Sequence, residues 1–174
     1  MLTPEQQRWV DHLSDTDTIK IIPFDPTAEE KFLEVKKRIQ LVLGEEQTVQ
    51  HRGATSLGIS GQDEIDVYIP VHPHEFDSQI QPLTKLFGNP GSLYPLERAR
   101  FETEIRGKHI TVFLINQKSK ALINGITFEA YLRSNPQALE EYRQLKELGA
   151  GLSIREYYRR KIEFINEILG LVGK

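Results

Sequence analysis

"HRGATSLGISGQDEID" spans His51–Asp66, and the way it folds decides how the rest of the chain is organised. Gly53, Gly58 and Gly61 alternate with the hydroxyl-bearing Thr55, Ser56 and Ser60. Glycines lack Cβ, so they bring backbone N–H groups close to an anion. The stretch closes on Glu64-Ile65-Asp66. Ile65–Val71 (IDVYIPV) alternates and is rich in β-branched residues, which reads as a strand. Carboxylates two residues apart on a strand point to one face, and Mg²⁺ takes such oxygen ligands while bridging phosphates. Two readings stand: a phosphate cradle with a metal-binding carboxylate pair, or a flexible Gly/Ser loop between strands. A glycine-rich loop by itself is a weak signal.

Upstream, Thr3-Pro4-Glu5 is a helix start, a cap followed by proline at the first position, and predicts a helix to about Leu13. TIKIIPF (Thr18–Phe24) reads as a short strand. Thr27 and Glu30 have capping-box spacing. Phe32, Val35, Ile39 and Val42 recur at helical intervals to about Leu43, and Gly44 ends that helix. TVQH (Thr48–His51) is a further short strand. Trp9 reads as a core anchor of the first helix.

Downstream, Glu75–Phe87 reads as a helix stopped by GNPGS. ARFETEIRG (Ala99–Gly107) and HITVFLI (His109–Ile115) read as a hairpin turning at Gly107-Lys108. After Ser119 the pattern is helical. Pro136 opens one helix, Gly149-Ala150-Gly151 interrupts the run, and Ser153 with Glu156 caps another. There is no internal repeat and no linker. The order of elements gives an α+β chain with a small mixed sheet.

Composition narrows the function classes. The chain has 174 residues, a formal net charge of -3 and no cysteine. Bulk charge argues against broad nucleic-acid binding. Disulfides, thiolate metal sites and a cysteine nucleophile are excluded. The N-terminal stretch is polar, without the apolar run of a signal peptide or membrane span, so a cytoplasmic location is expected.

His51, Gly53, Thr55 and Asp66 resemble the signature of the GrpB-like family, part of the nucleotidyltransferase fold superfamily. That pattern runs His-Ile-Gly-Ser-Thr and later reaches a closing Asp, matched here after one deletion. FEAYLRSNPQALEEYRQLK (128–146) and REYYRRKIEFI (155–165) resemble the family's later Tyr-x-x-Leu-Lys and Tyr-x-x-x-Lys segments. The resemblance covers about residues 19–170. It implies one domain with a nucleotidyltransferase-like mixed β-sheet core (19–118), flanking helices, an N-terminal helix (1–18) and a C-terminal helical segment (119–174).

The function implied is Mg²⁺-dependent transfer of a nucleoside monophosphate to an unknown acceptor. Asp66 and Glu64 would then be the metal-binding, catalytic pair, with His51, Gly53 and Thr55 at the phosphates. Tyr142/Lys146 and Tyr157/Lys161 are each four apart, so each pair shares a helix face. Tyrosine offers a flat ring and a hydroxyl, lysine a compact charge suited to phosphate. Arg155, Arg159 and Arg160 add charge nearby, so two helices would present cations to a triphosphate or another anionic substrate; the alternative is a solvated helix face with tyrosine packed at its edge. Arg98 and Arg100 either point at the same anion or pair with Glu97 and Glu102. His51 is read as holding its loop through backbone bonds in preference to acting as a general base. His72 and His74 have metal-binding spacing, or lie in a surface loop.

This chain departs from the pattern at Ala54, where the family has serine, at Gln62 or Asp63, where it has lysine, and at Thr111, where a second histidine is expected beside His109. Tyr68 stands where the superfamily has a second acid. Ala54 and Tyr68 favour an alternative on the same fold: a catalytically impaired protein that binds a nucleotide or another phosphorylated small molecule.

Overall fold

In the computed structural model, which describes residues 1–173, the chain forms α1 (Pro4–Asp11), α2 (Ala28–Leu43), β1 (Gln50–Arg52), α3 (Gly53–Ser56), β2 (Glu64–Val71), α4 (Phe76–Phe87), β3 (Ser92–Tyr94), β4 (Arg98–Ile105), β5 (Lys108–Asn116), α5 (Lys120–Ser134), α6 (Pro136–Leu148) and α7 (Ile154–Val172). It is an α+β fold with two compact units: residues 24–59 with 63–123, and residues 1–23, 60–62 and 124–173.

The first of these units contains a five-stranded mixed sheet in the order β1-β2-β5-β4-β3. β2 and β5 run parallel, and the other neighbours are antiparallel. Alternation along β2 buries Ile65, Val67, Ile69 and Val71 on one face, where they join Ile110, Val112 and Leu114 of β5 and Phe101 of β4. Ala28, Phe32, Val35 and Ile39 of α2 and Phe76 and Leu83 of α4 complete this core. Full burial of one such large side chain is worth about 1.5–3 kcal/mol, so the helices are held by that face. Val42 is exposed instead, and α2 ends at Gly44 with φ +109°.

Two local expectations change here. The hairpin turns at Arg106-Gly107, both at positive φ, with Ile105 paired to Lys108; this two-residue turn matches the twist of its strands. The Thr27/Glu30 capping box does not form. Thr27 gives its N–H and its hydroxyl to Asp25 Oδ1, at 2.8 and 2.7 Å, and Lys31 Nζ donates to Asp25 Oδ2 at 2.7 Å. The carboxylate is the stronger acceptor and draws the threonine into a local turn.

Lys31, then Thr27, hold the Asp25 carboxyl well below the usual carboxylate range. Its stabilisation is therefore present above the unfolded value of about 3.9 and is lost as pH falls toward the folded one. Asp25→Ala should cost about 1–2 kcal/mol at neutral pH in urea unfolding, and the difference should shrink in acid. A loss as large from Glu30→Ala would restore the capping box.

In the other unit, Thr3 and Gln6 form a capping box on α1, which stops at Asp11. Val10 is its buried residue. Trp9 is 49% exposed and meets Tyr158 edge-on at 5.4 Å, so it is not a core anchor. Residues 18–24 are not a strand. They make isolated bridges, Thr18 to Ser153 and Ile22 to Gly61, because their partners are loops that offer no continuous ladder. Ser153 caps α7 by accepting from Glu156 N–H. Arg155 donates to the Asp11 and Leu13 carbonyls at the end of α1 and pairs with Asp15.

Candidate functional site

The sheet face opposite the core carries the polar side chains. Glu64, Asp66 and Tyr68 alternate with the buried apolar residues of β2 and are half-buried. Register extends this face across the sheet. Arg52 pairs with Asp66, Asp66 with Thr111, and Thr111 with Glu102, while Glu64 pairs with His109. Directly opposed residues on antiparallel strands have Cβ atoms about 4.5–5.5 Å apart. Arg52 is only 7% exposed, and its guanidinium lies 5.5 Å from the centre of the Tyr68 ring. Sequence reading passed over Arg52, because nothing within β1 shows which residue will stand beside Asp66.

His51 and Asp66 lie on adjacent strands but on opposite faces. His51 pairs with Val67 and stacks on Phe32 of α2 at 4.8 Å. Its Nδ1 faces Glu29 Oε2 at 2.8 Å, and its Nε2 meets Thr55 Oγ1 at 2.9 Å. A neutral ring that donates from Nδ1 to the carboxylate accepts the threonine hydroxyl at Nε2. His51 thus holds the loop through side chains, where backbone bonds were expected. The loop itself opens with the helical turn α3. Gly53 sits at φ +75°, and a Cβ there would collide with the Asp66 carboxylate. Ser56 Oγ closes the turn by donating to Gly53 O at 2.9 Å.

The far end of the loop is tied by a pair that the sequence did not reveal. Lys108, buried at the start of β5, donates to Asp63 Oδ1 at 2.5 Å, and Asp63 itself adopts φ +67°. On the neighbouring strands, Thr111 Oγ1 and His109 Nε2 are 3.3 Å apart, with Glu102 3.7 Å from His109 and 3.6 Å from Arg100.

The fit to Mg²⁺ is limited. Among the described residues no group of three or more His, Cys, Asp or Glu side chains is placed to hold a metal. Glu64 and Asp66 share a face, but Thr111 stands across from Asp66 on one side and cationic Arg52 on the other. Two carboxylates suffice for Mg²⁺ only where substrate phosphates and water complete its shell. His72 and His74 stack on each other at 5.3 Å, and the Gln117 amide lies 2.7 Å from His72 Nδ1; they belong to no such metal group.

The remaining candidates lie in the other unit. Tyr142, Lys146 and Tyr157 are all buried, Lys146 at 4% exposure, so these three do not lie on a solvated helix face, while Lys161 is half-buried. Lys146 Nζ is 3.4 Å from Tyr157 Oη and 5.2 Å from the Tyr142 ring centre. Tyr142 stacks on Phe164 at 5.5 Å and meets Phe128 edge-on. Lys161 Nζ lies 5.2 Å from the Tyr158 ring centre. The i, i+4 spacing was legible. The inward direction of the pairs comes from the packing of α6 on α7. Arg160 pairs with Glu156, and Arg155 is committed to α1.

A family model described as GrpB protein matches residues 18–170. UPF0157 protein YqkA of Bacillus subtilis (strain 168) is 30% identical over 161 residues, which is 88% of this chain and 47% of that protein. The chain thus spans about half the length of that relative. The crystal structure of conserved protein GrpB from Enterococcus faecalis superposes with a TM-score of 0.68 at 20% identity, covering 89% of this chain and all of that one. At that identity the likeness concerns the fold. No helix among the described residues is long and apolar enough to cross a membrane.

Proposed function

Because the chain belongs to the GrpB family, we propose that the polar face around Asp66 binds a phosphorylated small molecule, with a nucleoside triphosphate as the first candidate. The observation that carries this reading is Arg52, buried, directly opposite Asp66 and next to the Gly53 turn. A guanidinium presents a planar fork of donors that matches phosphate oxygens. Thr55 lies in the same turn, but its hydroxyl is committed to His51 Nε2. Arg100 lies further along the face, opposite Phe113. Tyr142, Lys146, Tyr157 and Lys161 lie in the other unit, the first three of them buried, and stand outside this reading.

A second reading, Mg²⁺-dependent transfer of a nucleoside monophosphate, is favoured by Glu64 and Asp66 sharing one face. In it an acceptor hydroxyl attacks the α-phosphorus and pyrophosphate leaves. Glu64 and Asp66 would hold Mg²⁺, which would neutralise phosphate charge. Ala54 and Tyr68 weigh toward binding without transfer.

Thermal unfolding separates the two readings. A ligand that binds only the folded state stabilises it by roughly 2.7 kcal/mol at a hundredfold excess over its dissociation constant. ATP in EDTA should raise the melting temperature, and Arg52→Gln should remove the rise. A rise that appears only with Mg²⁺ and disappears in Asp66→Asn supports the metal-dependent reading. No rise under either condition ends the nucleoside triphosphate proposal.

A further inference from the structure

A second pocket lies at the other end of the same sheet face. It is a cavity of about 200 Å³ lined by Tyr94, Glu97, Arg98, Ile115, Ser119 and Ala121. Arg98 pairs with Ile115, whereas Asp66 pairs with Thr111. Four residues of β5 separate these levels, about 13 Å at the rise of a strand, so the cavity is separate from the Asp66 site.

Its charged residues have unused capacity. The Arg98 guanidinium lies 5.3 Å from the Tyr94 ring centre and 5.7 Å from that of Phe113, within cation–π range. Yet it donates no hydrogen bond and joins no ion pair among the described residues. Ring contacts of this kind restrain a guanidinium while its N–H donors, which lie in its plane, remain available to an oxyanion. The Glu97 carboxylate is likewise without a partner among the described residues. An arginine and a glutamate thus line one small cavity without closing on each other. Ser119 Oγ accepts from Leu122 N–H at 3.2 Å and keeps its own proton to donate.

The wall of the cavity is held in an unfavourable backbone form. Glu97 N–H closes a turn onto Tyr94 O at 3.0 Å, with Pro95 and then Leu96 at its centre. Leu96 has φ +58°, where a turn of this kind ordinarily has glycine. Asn116 secures the turn, donating Nδ2–H to Leu96 O at 3.1 Å and its backbone N–H to Glu97 O at 2.9 Å. Strain of this kind persists where the surroundings over-determine it, and it concentrates at ligand sites.

We propose that this cavity binds a small zwitterion of the α-amino-acid class. The ligand carboxylate sits on the Arg98 guanidinium and the Ser119 hydroxyl, and the ligand ammonium meets Glu97. Ile115 and Ala121 provide the apolar floor. A phosphate dianion shares the oxyanion but faces the Glu97 carboxylate in the same small space, and like charges there repel.

The test is amide ¹⁵N–¹H NMR of the full chain, titrated separately with glycine, L-alanine, L-serine and inorganic phosphate. At least one amino acid should shift the Glu97, Arg98, Ser119 and Ala121 amides saturably. Affinity for it should fall about tenfold or more in Arg98→Gln and in Glu97→Gln, while Glu97→Gln should improve phosphate binding. Glu97 is exposed, so its variant reports even if Arg98→Gln does not fold. No saturable shift with any amino acid overturns the proposal. So do titrations unchanged in Glu97→Gln, or phosphate saturating wild type below every amino acid. The probes contain no nucleotide, so the outcome is independent of the reading at Asp66.

Discussion

Gly53→Val should cost about 2–5 kcal/mol of folding stability, the sum of left-handed backbone strain and overpacking, and should abolish ligand binding at the Asp66 face. Gly53 has φ +75°, a conformation that β-branched residues strongly disfavour, and any Cβ there meets the Asp66 carboxylate. Gly58 provides the control. It has φ +71°, but a Cβ added there would have nothing within 4 Å, so Gly58→Ala should cost only the backbone strain, about 1–2 kcal/mol. Gly53→Ala should therefore cost clearly more than Gly58→Ala in denaturant unfolding. Adding Asp66→Ala to Gly53→Ala should recover about 1 kcal/mol or more of coupling, because the colliding group is gone. Equal costs at the two glycines, with no coupling to Asp66, would mean that the close approach of turn and carboxylate does not shape this site.

Tyr157→Ala should cost about 3–5 kcal/mol, as other large aromatic truncations do. Tyr157 is fully buried, and its hydroxyl is 3.4 Å from the buried Lys146 Nζ. Truncation leaves a cavity and takes an oxygen away from an ammonium held out of water. Tyr157→Phe keeps the ring and isolates the hydroxyl, for an expected loss of about 1–3 kcal/mol. The ring also explains Gly149. That residue has an ordinary φ of -78°, but a Cβ there would sit 2.5 Å from Tyr157 Cδ2. Gly149→Ala should destabilise wild type by about 1–3 kcal/mol and be tolerated in Tyr157→Ala. If Tyr157→Ala does not fold, Tyr157→Leu replaces it in the pair. A Gly149→Ala cost that is the same in both backgrounds would show that the ring does not limit this position.

What the sequence determined by itself was short in range. The period of α2 placed Phe32, Val35 and Ile39 on one buried face. Alternation along β2 put Glu64 and Asp66 together on the other side of the strand from Ile65 and Val67. The separated motifs from His51 to Lys161 were enough to indicate the family and the mixed sheet. Each of these signals is either a periodicity, which the backbone imposes within a few residues, or an ordered set of matches along the chain.

Strand register and packing decided the rest. Pairing β1 with β2 put Arg52, and not His51, on the face of Asp66; a shift of one residue would have reversed that choice. The Lys108–Asp63 pair closes over 45 residues of chain. Arg98 gains Tyr94 and Phe113 as neighbours only when β3, β4 and β5 assemble. Lys146 looks like any helix-surface lysine until α6 packs on α7 and buries it beside Tyr157. No local pattern encodes these partners, because a side chain's tendency to pair depends on burial and on the groups that arrive beside it, and both are set when distant segments meet.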